Sequence, residues 1–360
     1  MKVLKTLDGL SEAVDMVPCV FDGNPLNLLF VDSVRTADPM DFARAMAAPE
    51  LVEEERVVFR SRAPGSAGLP RLTLRQRPDP TLLSERLFAR FDRLREVISP
   101  QSQIGARIER LAAAARPDVV ALVVVDGLSY YDLPDEASEP WFVDGPSITQ
   151  FGFREVMGAP TVSQRLFRLG YRTQRAFTYF DRRDNPLAEE LHRQFGDTQV
   201  VRVNEFAQVL QNEDLSLSQT FVQVTMPGLD ALAHNHRDRP PIEHYRGEIM
   251  QRFSDLVTEL ETGARRVLAL LTADHGILWR EFLPLEPTLF ESGLDGDFHH
   301  PRFLKGAVQR DGLKAVRTRV GGFSLLRYPY LTRRLRRTEW GVHGGISAWE
   351  SLVPLVVHTT

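Results

Sequence analysis

A doubly wound α/β fold with a smaller α+β segment ahead of it is what this 360-residue chain predicts. Three observations predict it. From residue 116 onward, apolar runs of strand length alternate with amphipathic stretches of helix length, the rhythm of βαβ units. The first of those runs, VVALVVVD, is apolar without interruption, as a parallel strand covered on both faces must be. Finally, several of the runs end in acids and imidazoles. In an open α/β sheet the carboxyl ends of the strands are where ligands gather.

The elements follow in order. Residues 1–115 carry short apolar stretches (LNLLFVD, 26–32; RVVFRSR, 56–62) around a Pro/Gly-rich loop, APGSAGLP (63–70). Leu and Phe recur at helical spacing in TLLSERLFARFDRLREVIS (81–99), and a second helical stretch, QIGARIERLAAAARPD, runs out at Pro117. These residues read as a small α+β domain without a chemical signature, and its Arg-rich helices as solvated faces. In 116–360 the strands are the run closing at Asp126, QRAFTYF (174–180), TQVVRV (198–203), QTFVQVTM (219–226) and RRVLALLTAD (265–274). Helices are expected over TVSQRLFRLG (161–170), closed by Gly170, over NPLAEELHRQF (185–195), with Pro186 in its first turn, and over 242–263. Pro, Gly and aromatic residues break the rhythm over 279–330, which suggests an inserted cap. LVPLVV near the end supplies one more strand.

Composition narrows the function classes. Hydrophobic residues make up 43% and charged residues 26%, ordinary globular values. A net charge of −4 argues against a surface devoted to coating nucleic acid, though a local basic cleft is compatible with it. A single cysteine, Cys19, excludes an internal disulfide framework and a Cys-rich zinc finger. The N-terminus carries acids and a glycine where a signal peptide needs an apolar core. No segment has the roughly 20 apolar residues that span a bilayer. A cytoplasmic protein with no membrane partner is the expectation.

The chemistry concentrates at strand ends. Asp126-Gly127 closes the first strand, PGLDALAHNH after the fourth offers Asp230 and His234, and the fifth ends in Asp274-His275-Gly276. The closing segment adds His343 within VHGG. Three carboxylates and three imidazoles suit zinc, manganese or iron better than calcium, which takes oxygen ligands. Six ligands exceed the needs of one tetrahedral ion. Two ions roughly 3.5–4 Å apart can clamp the attacking and leaving oxygens of a displacement at phosphorus. For a nucleophile, GAPTVSQ (158–164) places Thr161 and Ser163 at an expected helix start, where free N–H groups and the positive dipole end favour a phosphate oxygen.

VVVDGLSYYD, GAPTVSQ, LDALAH, TADHG and VHGGIS with its apolar tail, in that order, resemble the alkaline phosphatase superfamily. Within it the chain looks like the PglZ branch, known from BREX-type phage-defence operons and some response regulators. The His-Gly-Gly-apolar-Ser ending is the most branch-specific of these segments. The resemblance spans about 115–358 and leaves 1–115 unassigned. It implies an alkaline-phosphatase-type sheet with an inserted cap. One ion would be held by Asp126, Asp274, His275 and the nucleophile, the other by Asp230, His234 and His343, zinc being the expected metal and manganese the alternative. The family's Pro-x-x-Thr pattern, carried onto Pro160, points to Ser163 as nucleophile and metal ligand, with Thr161 as the alternative. The Cys-x-Pro-x-Arg signature of sulfatases is missing from the sequence.

The expected function is therefore a two-metal phosphodiesterase acting on nucleotide or oligonucleotide phosphoesters, possible in phage defence beside other defence-system proteins. Alternatives are a non-catalytic metal-binding scaffold subunit, a phosphomonoesterase or a phosphomutase. The basic cluster Arg333, Arg334, Arg336 and Arg337 reads as a solvated face, or as an attractor for an anionic substrate.

Overall fold

The computed structural model describes residues 2–4, 19–21, 24–27, 29, 57–60, 71–74, 76–134, 138–182, 185–234, 236–263, 265–290 and 300–360. The loop expected over 63–70 lies outside them, as do most of 27–32 and the stretch 291–299 of the expected cap. The chain divides into two compact units, Met1–Ile98 and Ser99–Thr360.

The smaller unit is α+β. Strands β1 (Lys2–Leu4), β2 (Cys19–Phe21), β3 (Val57–Arg60) and β4 (Arg71–Leu74) form a sheet in the order β1-β2-β4-β3. Helix α1 (Pro80–Ala89) starts where Asp79 accepts hydrogen bonds from the N–H groups of Thr81 and Leu82, with Pro80 in its first turn. The helix expected over 81–99 ends at Ala89. Arg90 leaves helical geometry (φ −112°, ψ 16°), and Phe91–Glu96 continues as 3-10 turns.

The unit boundary falls before helix α2 (Ile104–Ala115), which the expected 1–115 domain included. Its Ile104, Ile108 and Ala112 share one face, and that face is buried in the core of the larger unit. The helix therefore belongs with residues 99–360.

The larger unit is built on a seven-stranded, mostly parallel sheet. Its strands are β5 (Val119–Asp126), β6 (Glu139–Phe142), β7 (Thr173–Thr178), β8 (Val200–Arg202), β9 (Thr220–Pro227), β10 (Val267–Ala273) and, after strands that belong to other sheets, β16 (Leu352–Thr359). The order is β6-β16-β10-β5-β9-β7-β8. The five strands from β10 to β8 run parallel, while β16 is antiparallel to both its neighbours. Every residue of β10 and all but the last of β5 and β9 are buried, as the unbroken apolar runs require. Register brings Ala273 level with Val125, and Asp126 level with Pro227. The carboxyl ends of the three central strands thus stop at one edge.

Helices α4 (Val162–Arg168), α5 (Pro186–Phe195) and α8 (Ile242–Glu261) lie close to their expected spans, α5 starting at the Asn185 cap. Helix α3 (Thr149–Met157) was not expected. Its N-cap is Ile148, without a side-chain hydrogen bond, so the usual Ser, Thr, Asp or Asn start signal is missing. Short α6 (Ala207–Leu210) and α7 (Asp230–Ala233) follow β8 and β9.

The break over 279–330 contains a three-stranded antiparallel sheet of β12 (Phe303–Lys305), β14 (Gly321–Leu326) and β13 (Leu313–Thr318), in that order. Just before it, β11 (Leu278–Trp279) pairs with β15 (Gly341–Val342). Helix α9 (Ala348–Ser351) then leads into β16. Among the described residues, no helix is long and apolar enough to cross a membrane.

Candidate metal and phosphoryl-transfer site

Three adjacent strands deliver the acids. Asp126 closes β5, Asp274 follows β10, and Asp230 opens α7 three residues after β9. Gly127, at φ +76°, makes the turn out of β5 in a conformation that a residue with a Cβ rarely adopts. Its N–H donates to Asp274 Oδ1 at 3.0 Å, and the N–H of His275 donates to the same oxygen at 2.9 Å. The other oxygen, Asp274 Oδ2, is buried and has no hydrogen-bond partner among the described residues. Gln101 anchors the end of β10 from below: its buried side-chain amide donates to the carbonyls of Ala273 and Asp274 at 2.6 and 2.8 Å.

The imidazoles are oriented from behind. His275 is fully buried, and its Nδ1 lies 3.1 Å from the Gly276 carbonyl. His343 Nδ1 lies 2.8 Å from the Ser147 carbonyl. A carbonyl only accepts, so each Nδ1 carries the proton and, in the neutral ring, each Nε2 presents a lone pair. The two rings stack at 4.2 Å and 16°. His234 Nε2 comes within 3.3 Å of His343 Nε2. Asp230 Oδ1 lies 3.1 Å from His343 Nε2 and 3.4 Å from His234 Nε2. His275 Nε2 lies 3.8 Å from Asp126 Oδ1 and 3.7 Å from Asp274 Oδ2.

These side chains fit a cation. Ligand atoms of Asp126, Asp274 and His275 lie within 4.8 Å of one another, and so do those of Asp230, His275 and His343. His275 is common to both groups. Burial raises the Asp126 carboxyl well above its ordinary range, and the carboxylates of Asp274 and Asp230 raise it further. Burial raises Asp274 too, and lowers the His275 imidazole. Burial would also raise Asp230, but the imidazoles of His343 and His234 hold it well below the carboxylate range. Burial would lower His343, yet the Asp230 carboxylate lifts it to about 9. Three crowded acids, an orphaned carboxylate oxygen and converging ring nitrogens form a donor set that a divalent ion with nitrogen and oxygen ligands would satisfy.

One hydroxyl sits among them, and the sequence expectation missed it. Thr149, the first residue of α3, has its Oγ1 3.3 Å from Asp126 Oδ1 and 3.1 Å from His275 Nε2. No backbone acceptor for the N–H groups of Thr149 and Gln150 occurs among the described residues, as expected at the open start of a helix. The overlooked cue was a literal one: Pro146-Ser147-Ile148-Thr149 is a Pro-x-x-Thr sequence.

The hydroxyls expected in that role lie elsewhere. Ser163 Oγ is buried and donates to Gln174 Oε1. Gln174 is the second residue of β7, level with Phe221 and, through it, with Val120 near the start of β5. Asp126 is six residues further along β5, roughly 20 Å away at the strand rise. Thr161 caps α4, its Oγ1 accepting from the Gln164 N–H while the Gln164 side chain accepts from the Thr161 N–H. That is a capping box, a structural use of the hydroxyl. The convergence thus includes Asp126, Asp230, His234, Asp274, His275 and His343, and not Ser163 or Thr161.

Helix α3 reaches the acids because it has no side chain where it crosses them. A Cβ built on Gly152 would lie 1.8 Å from the Asp274 carbonyl oxygen. The Gly152→Ala variant is therefore expected to push α3 off β10, at a cost of about 1–3 kcal/mol or more. Denaturant midpoints check this.

The loop bearing His343 is held by a fully buried ion pair. Arg302 meets both carboxylate oxygens of Glu350, at 3.0 and 2.9 Å, and neither side chain is exposed to solvent. Glu350 Oε1 also accepts from the Gly345 N–H at 3.0 Å. Ser147 Oγ donates to the Gly345 carbonyl at 2.8 Å, tying this loop to the residue that also orients His343.

Neither a protein-family model nor a curated relative matches the chain. Among solved structures it is similar to the murine ectonucleotide pyrophosphatase/phosphodiesterase 5, with 11% identity, 66% of this chain and 87% of that chain covered, and a TM-score of 0.44. It is also similar to the zinc complex of the C-terminal periplasmic domain of EptC from Escherichia coli (11% identity, 45% and 64% covered, TM-score 0.29). The alkaline phosphatase of the Antarctic bacterium TAB5 follows at 10% identity, 67% and 91% covered and a TM-score of 0.28. Likeness at this level adds no functional information to the geometry.

Proposed function

We propose that the chain is a divalent-metal phosphohydrolase of alkaline-phosphatase type, a phosphodiesterase that uses Thr149 as its nucleophile. The observation that carries this reading is the position of the Thr149 hydroxyl, 3.3 Å from Asp126 and 3.1 Å from His275, at the open end of a helix and beside the acid–imidazole cluster. Asp126, Asp274 and His275 would hold one ion and Asp230, His234 and His343 a second. Zinc is the expected metal and manganese the alternative.

When bound, such ions act as Lewis acids toward the hydroxyl and toward the charge on phosphoryl oxygens. The chain's own residues do the rest. Thr149 Oγ1 gives up its proton and forms a bond to phosphorus as one P–O ester bond breaks; the departing oxygen takes up a proton and leaves as an alcohol, and the threonine-linked phosphoryl group keeps the second ester. The unspent N–H groups of Thr149 and Gln150 donate to a non-bridging oxygen, with the helix dipole in the favourable sense. Gly276 and Ser147 keep the rings of His275 and His343 turned so that Nε2 faces the cluster. Water then forms a bond to phosphorus as the bond from phosphorus to Thr149 Oγ1 breaks, and a proton from that water restores the hydroxyl.

The His343-Gly344-Gly345-Ile346-Ser347 segment supports the PglZ branch as the kind of protein this is, and with it a role in phage defence alongside other defence-system proteins. The test is turnover of bis-p-nitrophenyl phosphate and of the monoester, with zinc or manganese and then with chelator. Chelator-sensitive turnover favouring the diester is the expected result. A preference for the monoester would make the protein a phosphatase. Metal bound without turnover of either ester would make the centre a structural one and overturn the reading.

A further inference from the structure

A groove of about 1120 Å³ is lined by Arg239, Arg280, Arg334, Arg337 and Trp340 together with leucines and prolines of 283–289, over a buried Trp279. We propose that it binds single-stranded nucleic acid and passes the strand to Thr149. This deepens the phosphodiesterase reading and rests on it, because it names the substrate of that site.

Position comes first. Trp279 is four residues beyond His275 and pairs with Gly341, while Trp340 stands three residues before His343. In extended chain three residues span roughly 10 Å. The N–H of Trp340 donates to the carbonyl of Ala233, the residue before His234, at 2.8 Å, and its indole N–H donates to the His236 carbonyl at 3.0 Å. The groove wall is thus fastened to the turns that carry His234 and His343.

Charge and shape select the ligand. Four arginines line the groove against two carboxylates, Glu281 and Glu286, an excess of two positive charges on a chain whose net charge is −4. Glu281 is engaged by Arg239. Arg334 and Arg337 are exposed, and neither has a carboxylate partner among the described residues. The Arg280 guanidinium lies over the half-buried Trp340 ring, 5.4 Å from its centroid, so cation and aromatic face already share one wall. Single strands are bound by such a combination, basic side chains along the backbone and aromatic faces under the bases. An acidic polypeptide would use the arginines but has no flat ring in each unit to lie on the indole.

The test is fluorescence anisotropy of labelled oligo-dT with the full chain carrying Thr149→Ala, so that the probe survives, its integrity checked on a gel. The same protein with Arg334→Ala and Arg337→Ala added is compared over a salt series. The expected result is at least about ten-fold weaker binding and a salt slope reduced by about 1.4, some 0.7 for each single-strand phosphate left without its arginine. Equal affinity and slope in the two proteins would overturn the proposal. So would displacement of oligo-dT by polyglutamate as effective as by unlabelled oligo-dT, which would make the groove a site for acidic polypeptide. Failure of the parent to hydrolyse the small diester would sink the phosphodiesterase reading instead, while the anisotropy result stands by itself.

Discussion

Thr149→Ala is expected to lose phosphodiester turnover by roughly 10³- to 10⁶-fold, the range for removing a covalent nucleophile from a site that keeps its positioning groups. Metal content should stay near that of the parent, because Asp126, Asp230, His234, Asp274, His275 and His343 are untouched. Ser163→Ala makes the comparison decisive. Among the described residues its Oγ bonds Gln174 alone, near the amino end of β7, so removing it should cost stability and leave turnover within about two-fold. Turnover per bound metal, measured for both variants, separates the two hydroxyls. The assignment fails if Thr149→Ala works normally and Ser163→Ala is dead.

Asp274→Asn carries the second large effect. The amide oxygen can still accept from the N–H groups of Gly127 and His275, which now meet Asp274 Oδ1, so the turn persists. What disappears is a fully buried charge whose carboxyl burial already pushes up. Without metal the variant should therefore be no less stable than the parent. With metal the two should diverge. At a free metal concentration about 100 times Kd the parent gains about 2.7 kcal/mol. For a folded unit of this size that is roughly 5–10 °C in Tm. The variant should show little of that rise and no turnover. Calorimetric scans with zinc, manganese and chelator, paired with metal analysis, read both. A variant with the full rise in Tm would place the ion elsewhere in the protein.

The parts of this site that were legible in the sequence are those that follow from local pattern plus one topological rule. β5, β9 and β10 are unbroken apolar runs, and acids immediately beyond them have to stand at the carboxyl edge of a parallel sheet. Asp126, Asp230 and Asp274 come from that reasoning, and His234 and His275 follow as their neighbours in sequence. Thr149 was missed for a physical reason. Its helix has nine residues, begins at an isoleucine without a side-chain cap, and follows a four-residue strand that the hydrophobic pattern does not announce. GAPTVSQ attracted the assignment because its Thr161 and Gln164 are strong helix-start residues, and strong capping marks structure as readily as chemistry. Gln101 could not be read locally at all. It supports Asp274 from 173 positions away in the sequence, and only the packing of the chain brings the two together.

The buried Arg302–Glu350 pair has a consequence for how sequences of this kind can diverge. Losing either partner strands the other charge in a dry interior, at a penalty of about 3–5 kcal/mol, whereas an apolar pair of matching volume strands no charge and leaves the Gly345 N–H and the carbonyls that Arg302 meets to find new partners. The route from the ionic to the apolar solution therefore passes through an intermediate that scarcely folds. Homologues should carry both charges or neither, and positions 302 and 350 should change as one inherited unit.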